Sequence, residues 1–97
     1  MRWLWGTLLI VGCSEPALEP ELESKYQASC AACHEAGAAD APRRADADDW
    51  APRLARGEEA LLQAVRTGMA AMPPNGLCQS CTESDLRALV RYLAGVQ

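Results

Sequence analysis

Hydrophobic positions repeat with a helical period in three places along the chain, and no segment alternates convincingly as a strand. Leu22 and Tyr26, four residues apart, put one apolar face on a first helix that runs into Cys30–His34. Ala60, Leu61, Ala64 and Val65 form the stripe of a second helix, which should stop near Gly68, with Arg66 suited to its C-terminal dipole. Leu86, Leu89, Val90 and Leu93 share one face of a last helix. Thr82 is its expected N-cap, with the acid Asp85 three residues on. The stretch from Gly37 to Asp49 is polar and reads as loop. Near the start, Met1-Arg2 precedes an apolar run, Trp3 to Val11, too short to span a bilayer but of the length of a signal-peptide core. This predicts an exported chain, in which disulfides are permitted.

At 97 residues without an internal repeat, one small domain is the ceiling. Aromatic residues are 5% and Phe is absent, so the core must be thin, and a chain this short usually needs a disulfide, metal, cofactor or partner as well. Five Cys and a single His are the available chemistry. The net charge of -4 argues against a nucleic-acid binder, which needs a cationic surface. That acidity is uneven. From Lys25 onward there are eight basic and nine acidic residues, and the surplus lies in Ser14 to Glu23, which holds four Glu, two Pro and no base. Such a composition extends and repels itself, so 13–23 reads as a tether. The apolar run closes with Ile10-Val11-Gly12-Cys13, similar to a bacterial lipobox, which makes Cys13 the expected lipidated N-terminus after cleavage. Two acyl chains suffice for stable attachment.

Cys30-Ala31-Ala32-Cys33-His34 is the C-x-x-C-H attachment sequence of a c-type haem, in which two thiols add to the porphyrin vinyl groups and the imidazole reaches the iron. Zinc is the competing use for Cys30, Cys33, Cys78 and Cys81, but 44 residues separate the two pairs, far more than a zinc ribbon uses. A thioredoxin-like dithiol would want a βαβ context, whereas the flanks are Ala-rich and helical. An electron-transfer haem needs a second axial ligand, and Met69 and Met72 are the candidates. Met72 is preferred because Pro73-Pro74-Asn75-Gly76 cannot be helix and should run extended across the porphyrin face. Met69, after Gly68, reads as a core residue. Cys78 and Cys81 then read as a short disulfide, contributing roughly 2 kcal/mol by chain entropy. The five cysteines divide as one lipidated, two on haem and two in the disulfide.

Ser29–His34, Trp50-Ala51-Pro52-Arg53, Ala71–Gly76 and Cys78–Cys81, in that order, resemble the cytochrome c-five group of short class I c-type cytochromes. The resemblance covers about Leu22 to Ala94. It implies an all-α fold, three to four helices around one covalent haem c, with His34 and Met72 as axial ligands of its iron and electron transfer as the role. It further implies that the Pro42 carbonyl accepts the imidazole N–H, which would fix the ring and raise its donor strength. Trp50 and Arg53 are expected to contact a haem propionate, and the first and last helices to cross with Tyr26 near Tyr92 or Leu89.

The expected organisation is a signal peptide over 1–12, a lipidated Cys13 and tether over 13–23, and a haem domain over 24–97. The expected protein is a monomeric carrier rather than an enzyme, since a six-coordinate iron has no open site and the single His is a ligand. Its expected partners are redox proteins, such as a membrane dehydrogenase, a cytochrome complex or a terminal oxidase or reductase, together with a membrane through the anchor, with no nucleic acid and no small-molecule substrate. The expected place is the periplasmic face, and Ser14 after Cys13 resembles outer-membrane sorting in Gram-negative bacteria. The alternative is a haem-based gas sensor or peroxidase-like domain, which would need a displaceable Met72.

Overall fold

In the computed structural model the described residues are Gly6 and 17–96. The expected signal segment, Cys13 and the first part of the tether lie outside them. Five α-helices follow in order: α1 (Pro20–Ala28), α2 (Ala31–His34), α3 (Ala47–Leu54), α4 (Glu58–Thr67) and α5 (Glu83–Ala94). Short 3-10 turns occupy Ala38–Asp40 and Pro74–Leu77. Among the described residues there is no strand, and a single isolated bridge pairs Met69 with Met72.

The three helices expected from periodicity are all present. α4 ends at Gly68, and α5 opens with a reciprocal capping box in which Thr82 accepts from the Asp85 N–H and Asp85 accepts from the Thr82 N–H. α1 begins at Pro20, four residues inside the segment read as tether. Proline suits the first helical turn, where its missing N–H costs nothing, and Glu21 and Glu23 complement the dipole there. The buried face of α4 is also turned from the expected stripe. Leu61 and Leu62 are buried and Val65 is partly so, because the larger side chains take the contact with α5.

α3 corrects the loop reading of Gly37 to Asp49. Asp46 caps the helix by accepting the Asp49 N–H at 3.1 Å, and Asp48 and Asp49 sit in its first turn. Pro52 lies inside α3 and removes a bond to the Asp48 carbonyl; both residues are exposed, so water can serve that carbonyl. A second correction concerns Pro73–Gly76. Only Pro73 is extended, and the chain then turns, with Asn75 at φ 56 and Gly76 at φ 55. Asn and Gly tolerate this left-handed backbone, which lets a Pro-rich stretch reverse instead of spanning.

Two clusters share α5 as their wall. Leu89 and Leu93 face Tyr26 of α1 and Trp50 of α3, while Leu86 and Val90 face Leu61 and Leu62 of α4. Tyr26 and Leu62 are fully buried. The crossing of α1 and α5 is tight, with the Tyr26 and Tyr92 rings edge to face at 5.0 Å. Lys25 adds a polar link, donating to Asp85 at 2.9 Å and to the Ser80 carbonyl at 3.2 Å.

Candidate functional site

Cys30 immediately precedes α2, and the carbonyl of Cys30 accepts the N–H groups of Cys33 and His34. This one-turn helix puts the two cysteines and the histidine on a common local frame. Neither Cys30 nor Cys33 is in a disulfide; Cys30 is half-buried and Cys33 exposed. Burial pushes the Cys30 thiol up from its ordinary value, with the Ser29 hydroxyl partly opposing it.

His34 is buried, and its Nδ1 lies 2.7 Å from the Pro42 carbonyl oxygen. A carbonyl can only accept, so Nδ1 carries the hydrogen and Nε2 is the ring nitrogen left to meet a metal. The His34 ring stacks against Trp50, centroids 6.1 Å apart and planes 27° apart. Trp50 donates its indole N–H to the Arg43 carbonyl at 2.7 Å. Arg53, one turn along α3, donates to the Asp49 carbonyl. The structure thus gathers His34, Pro42 and Trp50 and directs the Trp50 N–H to backbone.

A network absent from the sequence reading surrounds the strap formed by residues 42–44. Glu35 accepts from the Tyr26 hydroxyl and from Arg44 Nε, the latter at 2.7 Å, while the Arg44 guanidinium lies over the Tyr92 ring at 5.2 Å. Burial, then the Glu35 carboxylate, pushes the Tyr26 hydroxyl above its ordinary range, whereas the hydrogen bond from Tyr26, then that from Arg44, holds the Glu35 carboxyl below its own. The sequence did carry one usable signal for this region. Asp46 three residues before Asp49 is a helix-start pattern that would have placed Trp50 and Arg53 on a helix.

Met72 sits on a different scaffold. Its N–H and C=O pair with those of Met69 at 2.8 and 3.0 Å, closing a tight turn through Ala70, which has φ 52. Gly68 has φ +84, and a Cβ there would lie 2.9 Å from the Met72 carbonyl oxygen, so glycine is required for this close approach. Met72 is partly buried, and its Cε lies 3.5 Å from where a Gly76 Cβ would be; Met69 is 47% exposed. Exposure removes the expectation that Met69 is a core residue. Just beyond, Cys78 and Cys81 are disulfide-bonded with Cα atoms 5.4 Å apart, which leaves them no thiolates for zinc.

Two free thiols, an imidazole with a free Nε2 and a thioether loop form a donor set that fits a covalent haem. Comparison with known proteins agrees. A family model described as cytochrome c oxidase, cbb3-type, subunit III matches residues 17–93. Cytochrome c5 of Azotobacter vinelandii is 35% identical over 78 residues, covering 78% of this chain and 90% of that protein. Cytochrome c5 of Ectopseudomonas mendocina is 35% identical over 69 residues, covering 69% and 79%. The chain belongs to this cytochrome c family, as a small class I c-type cytochrome. A mono-heme ferrocytochrome c from Shewanella putrefaciens superposes on the cytochrome with a TM-score of 0.70 at 38% identity, covering 84% of this chain and all of that one. A cytochrome c chain from an electron transfer complex with nitrite reductase gives 0.71 at 41% identity, with the same coverage. The cytochrome is therefore an all-α, monohaem electron-transfer protein with one covalent haem c and its iron.

Proposed function

We propose that this cytochrome passes single electrons between protein redox partners at the periplasmic face of a membrane, without substrate chemistry of its own. Cys30 and Cys33 would hold the haem covalently, and His34 and Met72 would supply the two ligands of its iron. Trp50 and Arg53 would be the residues next to a haem propionate. The observation that carries this reading is the His34 Nδ1 hydrogen bond to Pro42 at 2.7 Å, which leaves one ring nitrogen for the iron and fixes its direction. The haem supplies the one-electron couple. The protein's residues orient the imidazole, exclude water through Tyr26, Trp50 and the α5 stripe, and hold the thioether ready on the Met72 turn. An iron held by both His34 and Met72 would have no open coordination site, which favours a carrier over a sensor or peroxidase.

A redox enzyme of the kind joined to the cytochrome c structural relative, a nitrite reductase, is the class of partner that fits. Cys13 provides the lipid anchor. With α1 starting at Pro20, six residues separate it from the helix, a leash of roughly 19 to 21 Å when extended. The test is the full chain matured with haem, with spectra of both redox states. The expected result is a low-spin ferric form with the Met-to-iron absorption at the red end, lost in Met72→Ala and retained in Met69→Ala. Retention of that band in Met72→Ala, or rapid, complete carbon monoxide binding by the reduced protein, would overturn the His/Met carrier.

A further inference from the structure

Two consecutive peptide groups beside His34 have all four of their polar atoms engaged. The peptide joining Pro42 to Arg43 accepts the His34 Nδ1–H on its carbonyl at 2.7 Å and donates its N–H to Asp49 Oδ2 at 3.1 Å. The following peptide accepts the Trp50 indole N–H on the Arg43 carbonyl at 2.7 Å and donates the Arg44 N–H to the His34 carbonyl at 2.8 Å. Asp49 and Trp50 are neighbours in the first half of α3, and the Asp46 cap fixes that turn through the Asp49 N–H. One helical turn therefore sets the position of the carbonyl that holds the imidazole.

We propose that Asp49 is a positioning residue for the His34 ligand. Its carboxylate acts through the Pro42–Arg43 peptide to strengthen the Pro42 carbonyl as acceptor of the imidazole N–H, while Trp50 locks the adjoining peptide. The proposal rests on the reading of His34 as axial ligand. A peptide whose N–H is bonded to an anion is polarised, and its oxygen gains negative charge. A stronger acceptor draws the Nδ1 hydrogen outward, makes the ring a better donor and favours the ferric over the ferrous state. Neighbouring cations leave this path intact: Arg53 takes the Asp49 backbone carbonyl, and Arg44 pairs with Glu35.

The test compares haem-loaded Asp49→Asn, Trp50→Phe and Asp48→Asn with the unaltered protein, by redox titration and by nitrogen-15 NMR of the ferrous form. Asn keeps an acceptor oxygen, so Asp49→Asn preserves the fold, and Asp48→Asn removes the same charge one residue away on an exposed side chain. Asp49→Asn should shift the redox equilibrium toward the ferrous form by about three- to tenfold, where tenfold is 59 mV for one electron. Trp50→Phe, which changes no charge, should shift it in the same direction. In both, the His34 Nδ1–H should move upfield and exchange faster with solvent; in Asp48→Asn it should not. Equal potential shifts in Asp48→Asn and Asp49→Asn, with the His34 Nδ1–H unmoved, would reduce the effect to charge through space and overturn the proposal. Absence of a haem ring-current shift on the His34 ring in the unaltered ferrous protein would instead remove the ligand reading, and this proposal with it.

Discussion

The His34 side and the Met72 side of the site are held by different kinds of bond. Around His34, side chains from α2 and α3 reach backbone groups of one strap, residues 42–44: the imidazole and Trp50 donate to the Pro42 and Arg43 carbonyls and Asp49 accepts the Arg43 N–H, while the Arg44 side chain pairs with Glu35. Around Met72 the fixing is done by backbone shape, with a two-bond turn to Met69, positive φ at Ala70, Asn75 and Leu77, and the Cys78–Cys81 disulfide. The difference follows from the two side chains. An imidazole has a second nitrogen that must find a partner when buried, so a polar frame can orient it. A thioether offers only a weak acceptor, so its place depends on where the chain puts its Cα and on packing.

If the Met72 side is a matter of backbone shape, the largest disturbance should come from Gly68→Ala. The new Cβ meets the Met72 carbonyl at 2.9 Å and the backbone is strained at φ +84, so a loss of about 3 kcal/mol in chemical denaturation is expected, with a weakened Met-to-iron band. Unchanged stability would show that the turn adapts. Next, replacing Cys78 and Cys81 together by Ser should cost about 2 kcal/mol while leaving the absorption of the His34 side unaltered. Smaller again is Tyr26→Phe, on the other side. Loss of its hydroxyl from Glu35 should cost about 1 to 2 kcal/mol, and the Met-to-iron band should persist; its disappearance would mean the two sides are coupled.

The smallest effect is read in acid. Lys25 joins α1 to Ser80 at the disulfide turn and to Asp85 of α5. The Lys25 ammonium, then the Thr82 backbone N–H, hold the Asp85 carboxyl below its ordinary value. A lowered pKa in the folded state gives stability that is present above the ordinary carboxylate range and lost as pH falls through the lowered value. Lys25→Gln should therefore move the acid-unfolding midpoint upward, measured by helical circular dichroism; an unmoved midpoint would mean the pair contributes nothing.

Much of the frame could be read from residues near one another in the chain. The stop of α4 at Gly68, the Thr82 and Asp85 cap of α5 and the Leu86 to Leu93 stripe all depend on side chains within a turn of each other, and the structure has them where periodicity puts them. α3 was missed because Pro52 and three Asp obscure a helix that one Trp anchors. The run after Met72 was misread because Asn75 and Gly76 permit left-handed backbone, which spacing does not reveal.

The sequence by itself determined that two thiols and an imidazole lie within one turn at Cys30–His34, since covalent spacing fixes that whatever the rest of the chain does. It also determined where α4 ends and where α5 begins, because caps and breakers act locally. The Pro42 carbonyl was already indicated by the family resemblance, and only the tertiary structure decided which side-chain donor meets the next carbonyl and that Glu35 joins Tyr26 to Arg44. Those bonds link a strap to helices on either side of it. A backbone oxygen looks alike at every residue, so its partner is chosen by packing of α1, α3 and α5 around Tyr26, Trp50 and Leu89.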